Sequence, residues 1–152
     1  MDPRPAPGPP ERWWVVFTDA MTWRWWSRFT RPRARHVFVV RIVGPDLVLG
    51  IEPLFSRALV RVFDEDMVEL LDRYLDLGHD VLVYETGRGV PVYESGQGEY
   101  SARRLLQLRS PILTCASFIA YTLGLNGWIV TPQSLKRALL KHGAQRLERG
   151  EV

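Results

Sequence analysis

His36-Val37-Phe38-Val39-Val40-Arg41-Ile42-Val43-Gly44-Pro45-Asp46-Leu47-Val48-Leu49-Gly50-Ile51-Glu52 is the stretch that decides the fold. Two runs rich in β-branched residues, 37–43 and 47–51, flank Gly44-Pro45-Asp46, a turn signal, and together they read as a β-hairpin. Around a turn near Gly44, antiparallel partners carry residue numbers that sum to about 88–90. A sum of 88 sets His36 directly across from Glu52, and a sum of 90 makes them diagonal neighbours on one face. Only the odd register would put them on opposite faces. His36 opens its strand where Glu52 closes the next, so both stand at one edge of the sheet. Asp46 belongs to the turn itself.

Working outward, Trp13-Trp14-Val15-Val16-Phe17 reads as a buried strand, and residues 57–63 as the third strand of a meander. Residues 18–35 read as irregular, with a helical turn around 21–26. Asp64 is placed to N-cap a helix that carries Glu65 and Asp66 in its first turn. Met67, Leu70, Leu71, Tyr74 and Leu75 supply the core stripe of that helix, and Gly78 ends it. Residues 81–84 read as the next strand. Residues 86–98 read as a glycine-rich loop, with a short β stretch at 90–93. A further helix, starting near Cys115, ends near Gly124. Thr131-Pro132 opens the last helix, with Leu135, Ala138 and Leu139 facing inward and Gly143 terminating it. The pattern is α+β, an antiparallel sheet with helices packed on it. It divides into a Pro-rich extended arm over 1–12, a single domain over 13–143 and a polar tail over 144–152.

At 152 residues the chain is one domain's worth of sequence, enough to bury roughly 70% of its unfolded surface. One cysteine excludes an intrachain disulfide framework and a multi-cysteine zinc site. His36, His79 and His142 lack ligand spacing, so neither a metal nor another cofactor is expected. His79, in a helix-to-strand loop, and His142, in a final helical turn, read as structural or solvated. Residues 1–11 contain no apolar core of a signal peptide. The longest apolar runs are about five residues, far short of the ~20 a membrane helix needs, so no transmembrane segment is expected. Synthesis as a soluble protein follows.

The net charge of +3 is carried largely by arginine. Arg24, Arg28, Arg31, Arg33 and Arg35 interleave with Trp23, Trp25, Trp26 and Phe29, and no acid occurs between Asp19 and Asp46. Trp23, Trp25, Trp26, Arg28 and Arg31 form a candidate docking set, because rigid aromatics and forked donors suit an interface. A solvated loop capping the core edge is the plainer reading. A nucleic-acid or membrane surface is a further alternative, though at this modest net charge nucleic acid is not the expected partner.

Cys115 lies in Pro111-Ile112-Leu113-Thr114-Cys115-Ala116-Ser117-Phe118, where a loop enters an amphipathic helix. A helix N-terminus favours the thiolate, so a lowered thiol pKa is expected there. Ile112, Ala116, Ile119, Ala120 and Leu123 share one helical face, and Cys115 lies off it. Either Ser110 or Thr114 could cap this helix. A lone cysteine is more often a small buried hydrophobe than a nucleophile. A helix-start cysteine and a strand-start histidine are nonetheless the two parts a thiol-hydrolase site needs, with Glu52 as the carboxylate that would orient the imidazole.

Several blocks carry a resemblance. They are Trp14-Val15-Val16-Phe17-Thr18-Asp19, Trp25-Trp26-Ser27-Arg28-Phe29, Arg35-His36-Val37-Phe38, Leu113-Thr114-Cys115-Ala116-Ser117-Phe118 and Ile129-Val130-Thr131-Pro132-Gln133-Ser134-Leu135. Over most of 13–143 they resemble small proteins of tailed bacteriophages and prophages, which look like circularly permuted relatives of the NlpC-type papain-like cysteine peptidases. In such permuted forms the histidine strand precedes the cysteine helix, as here. The resemblance implies a permuted papain-like fold with Cys115 as nucleophile, His36 as base and Glu52 as the polar third residue. Relatives often carry a glycine and an aromatic before the histidine, where this chain has Arg33-Ala34-Arg35, and frequently Asp or Asn at the third position.

The expected function is that of a phage virion or tail-associated protein, a thiol hydrolase cleaving amide bonds of peptidoglycan stem peptides during infection. Its expected partners are other virion and tail proteins and a peptidoglycan peptide, and its expected location is the phage tail after synthesis in the host cytoplasm. The alternative is a catalytically silent structural component of the tail or virion.

Overall fold

The computed structural model describes residues 10–19, 35–45, 47–54, 58–86, 114–125 and 127–151. Among them the elements are β1 (Glu11–Thr18), β2 (His36–Gly44), β3 (Leu47–Pro53), β4 (Ala58–Phe63), α1 (Met67–Asp76), β5 (Asp80–Thr86), α2 (Cys115–Thr122), α3 (Pro132–Lys141) and β6 (Gln145–Arg146). The strands form one antiparallel sheet in the order β4-β3-β2-β1-β5-β6. The α+β class read from the sequence is the one observed.

The hairpin takes the even register. Val39 pairs with Ile51 and Val40 with Gly50, a residue-number sum of 90, and a slip between Ile42 and Gly44 absorbs the turn. β1 runs between β2 and β5, which explains its unbroken apolar run: Val15, Val16 and Phe17 are fully buried because both sheet faces are covered. Each such side chain contributes roughly 1.5–3 kcal/mol of burial.

Strand alternation sorts the core into two layers. Trp13, Val15, Phe17, Val37, Val39 and Leu82 point to the face carrying α2 and α3, where they meet Ala116, Ile119, Leu123, Leu135 and Leu139. Val16, Val40, Val48 and Val81 point to the other face and meet Met67, Leu70 and Leu71 of α1. The even-numbered residues of β2, including His36, therefore lie on the α1 side.

Both later helices begin with reciprocal capping boxes. The Thr114 and Thr131 side chains accept from the backbone N–H of Ser117 and Ser134, whose hydroxyls answer the cap backbone. Thr114, not Ser110, is thus the cap of α2, and Cys115 is its first helical residue. Pro132 stands at the start of α3 as expected, and Gly143 follows it at φ +89°.

Several boundaries differ from the sequence reading, among them that of β5, which runs on to Thr86, a residue expected in the glycine-rich loop that instead pairs with Glu11. The N-cap of α1 is Asp66 rather than Asp64: Asp66 Oδ1 accepts from Val68 N–H at 3.1 Å, because the helix starts where the buried stripe starts, at Met67. Glu11 and Arg12, expected in the Pro-rich arm, instead open β1 opposite Thr86 and Glu85, with Arg12 ion-paired to Glu85 at 2.7 Å. The chain expected as a polar tail over 144–152 returns to the sheet at Gln145–Arg146. Gln145 and Arg146 pair with Val83 and Leu82, Leu147 N–H donates to Val81 O at 2.9 Å, and Ala144 and Leu147 are buried. The four residues Ala144-Gln145-Arg146-Leu147 carry no period-two alternation, and Ala144 and Leu147 enter opposite core layers, so no local strand signal marked this segment. Trp23, Trp25, Trp26, Arg28 and Arg31, the helical turn at 21–26, Asp46, most of the Pro-rich arm and the glycine-rich loop beyond Thr86 lie outside the described residues.

Candidate active site

His36 is the first residue of β2 and lies opposite Thr18 of β1, with its side chain almost wholly buried. Glu52 is the penultimate residue of β3. The even register makes them diagonal neighbours on one face, and His36 Nε2 lies 3.2 Å from Glu52 Oε1. The other carboxylate oxygen, Oε2, accepts from Arg61 of β4 at 3.0 Å. Phe38, Tyr74 and the Glu52 carboxylate share this side of the sheet, with the Phe38 and Tyr74 rings edge to face at 5.3 Å.

Burial pushes the His36 pKa down, and the charge and hydrogen bond of Glu52 only partly restore it. The imidazole is therefore neutral at neutral pH. A carboxylate can only accept, so Nε2 carries the ring proton and Nδ1 keeps the lone pair. Nδ1 is buried and has no hydrogen-bond partner among the described residues. That is the tautomer a general base needs, with the basic nitrogen turned away from its orienting carboxylate.

Cys115 sits at the first position of α2, half-buried against the α2/α3 core layer. Its thiol pKa is raised, not lowered. Desolvation by burial outweighs the backbone hydrogen bonding of Val37, Ala116 and Cys115 itself, which pulls the other way. The expectation of a lowered thiol pKa fails because packing against the α2/α3-side core layer strips water from the thiol, which outweighs its place at the helix start. The contact with the Val37 backbone brings the sulfur within one residue of His36 along β2.

The structure thus joins His36 to Glu52 and brings Cys115 to the neighbouring backbone, but it gives the thiol and the imidazole no shared hydrogen bond. Alternation puts His36 on the α1 face and Cys115 on the α2 face, with β2 between them. The arginine on Glu52 was not singled out in the sequence. Its signal was the meander register, in which Arg61 faces Gly50, one step from Glu52 on the same face. His79, whose pKa burial lowers against the pull of Asp19, stands near Tyr74 with ring centroids 6.0 Å apart, and His142 is the C-cap of α3. Neither is part of the His36 site. Among the described residues no helix is long and apolar enough to cross a membrane.

Comparison with protein-family profiles, curated proteins and solved structures returned no match.

Proposed function

We propose that the chain is a thiol hydrolase of permuted papain-like fold carried in a tailed-phage particle, acting on amide bonds of peptidoglycan stem peptides. The observation that carries the chemistry is the His36 ring: Nε2 is engaged by Glu52, and Nδ1 is buried with no hydrogen-bond partner among the described residues. The phage setting and the substrate rest on the sequence resemblance.

In this reading the Cys115 sulfur attacks the amide carbonyl as its proton passes to His36 Nδ1. The backbone N–H groups at the start of α2 hold the oxyanion. Collapse breaks the C–N bond, the imidazolium gives its proton to the leaving amine, and water then cleaves the thioester with Nδ1 as base. Both groups start neutral, so proton transfer and attack are coupled. The thiol must also come round the start of β2 to meet Nδ1 when substrate binds.

A second reading, a catalytically silent structural component of the tail or virion, is favoured by the placement of Cys115 and His36 on opposite faces of β2. The two separate in one experiment. The full chain is incubated with soluble peptidoglycan fragments, and newly released amines are followed by mass spectrometry. The hydrolase reading expects release that is lost in Cys115→Ala and His36→Ala. No release, together with no acyl adduct on Cys115, overturns it in favour of the structural component.

A further inference from the structure

We infer that Arg61 is a positioning residue for the His36–Glu52 pair, fixing the carboxylate so that the imidazole keeps a single tautomer. His36, Glu52 and Arg61 form a row across β2, β3 and β4 on the α1 face. Glu52 is directly opposite Leu59, and Arg61 is directly opposite Gly50, so Arg61 is the diagonal neighbour of Glu52 on the side away from His36. The two carboxylate oxygens are divided between these neighbours, Oε1 at 3.2 Å from His36 Nε2 and Oε2 at 3.0 Å from Arg61.

Glu52 is a flexible side chain that retains 23% exposure. With one oxygen held only by a neutral imidazole, its carboxylate has rotamers that turn it toward water. A guanidinium on the second oxygen removes that freedom and aims Oε1 at Nε2. The side chain of Arg61 is itself 54% exposed. As an ordinary surface ion pair it would add little to folding, so stability is the wrong readout and the state of the imidazole is the right one. The catalytic consequence rests on the hydrolase reading, whereas the tautomer does not.

The test uses the full chain labelled with 15N and carrying Cys115→Ala, so that thiol chemistry plays no part. The ring nitrogens of His36 are read by NMR, with Glu52→Leu marking an imidazole that has lost its carboxylate. The expected parent spectrum has Nε2 protonated and Nδ1 unprotonated. Arg61→Gln should shift both nitrogens toward the Glu52→Leu values, and Arg61→Lys, which keeps the charge, should move them back toward the parent. A ring spectrum in Arg61→Gln that superposes on the parent overturns the inference. Failure of the hydrolase reading would appear separately, as absent amine release from the chain with Cys115 intact.

Discussion

His36 and Glu52, 16 positions apart in the chain, meet across β2 and β3 with Nε2 3.2 Å from Oε1. The pair sets two opposing effects on one ring: burial favours the neutral imidazole, and the carboxylate favours the charged one. Burial is the larger. Glu52→Gln removes the charge while keeping an acceptor oxygen, so the His36 pKa should drop further below its ordinary value. Titration of the ring by NMR in both proteins checks this, and an unchanged or raised pKa in the variant would show that Glu52 does not act on the ring electrostatically.

The same ring ties stability to pH. A histidine whose folded pKa lies below its unfolded value of about 6.5 binds fewer protons in the native state. Stability should therefore fall as pH drops through about 6.5 and level off below the folded pKa. His79, also lowered by burial, contributes with the same sign. Melting temperatures measured from pH 7.5 down to 5.5 should decline, and His36→Gln should flatten that decline while leaving the share of His79. An equal slope in the variant would assign the whole effect to other groups.

Much of this site was legible because a hairpin turns sequence spacing into geometry. The 37–43 and 47–51 runs around Gly44 left only the parity of the register to settle, and either even choice brings Glu52 to His36. The Thr131 cap was legible for a similar local reason, as it stands directly before Pro132 and a run of helical residues, whereas the α2 cap was open between Ser110 and Thr114 until the structure placed it at Thr114. What could not be read was which face of the sheet each helix would cover. Parity placed His36 and Glu52 together, but nothing local says that α1 packs over them while α2, with Cys115, takes the other side. The thiol pKa was misjudged for the same reason, since desolvation depends on the assembled core and the helix terminus does not.

Cys115 should react slowly with iodoacetamide at neutral pH. Burial raises its pKa above the ordinary thiol value, so the thiolate fraction at pH 7 is small. The labelling rate of the full chain, followed by intact mass, should climb through pH 9 and beyond. A rate that already reaches its plateau below pH 8 would mean that a cation stabilises the thiolate, contrary to the burial argued for it.

Thr114 fixes where α2 starts, and so where Cys115 stands. Its side chain accepts from Ser117 N–H at 3.1 Å, and Ser117 Oγ accepts from Thr114 N–H at 2.8 Å. Thr114→Ala should cost about 1 kcal/mol in denaturant unfolding, and Thr114→Ser, which keeps the acceptor, much less. Equal losses in the two would assign the effect to the Thr114 methyl group and not to the cap.

The last prediction concerns the chain's return to the sheet after α3. Leu147 lies in the α1-side core layer with Val16, Val81 and Leu71, although the strand it follows, β6, is only two residues long. Its N–H donates to Val81 O at 2.9 Å, so the side chain and the backbone anchor the same point beside β5. A polar tail would tolerate truncation of its leucine. A core residue would not: Leu147→Ala should cost about 2 kcal/mol, at the low end for a leucine because a site beside the edge strand β6 can partly collapse into the space. Arg146→Ala should cost little, since that side chain is largely exposed and reaches Asp80 alongside Lys136, which keeps its own bond to the carboxylate. Urea unfolding of the two variants compares these directly. If both lie within about 0.5 kcal/mol of the parent, the range expected for surface substitutions, residues 144–152 are the polar tail that their composition suggests.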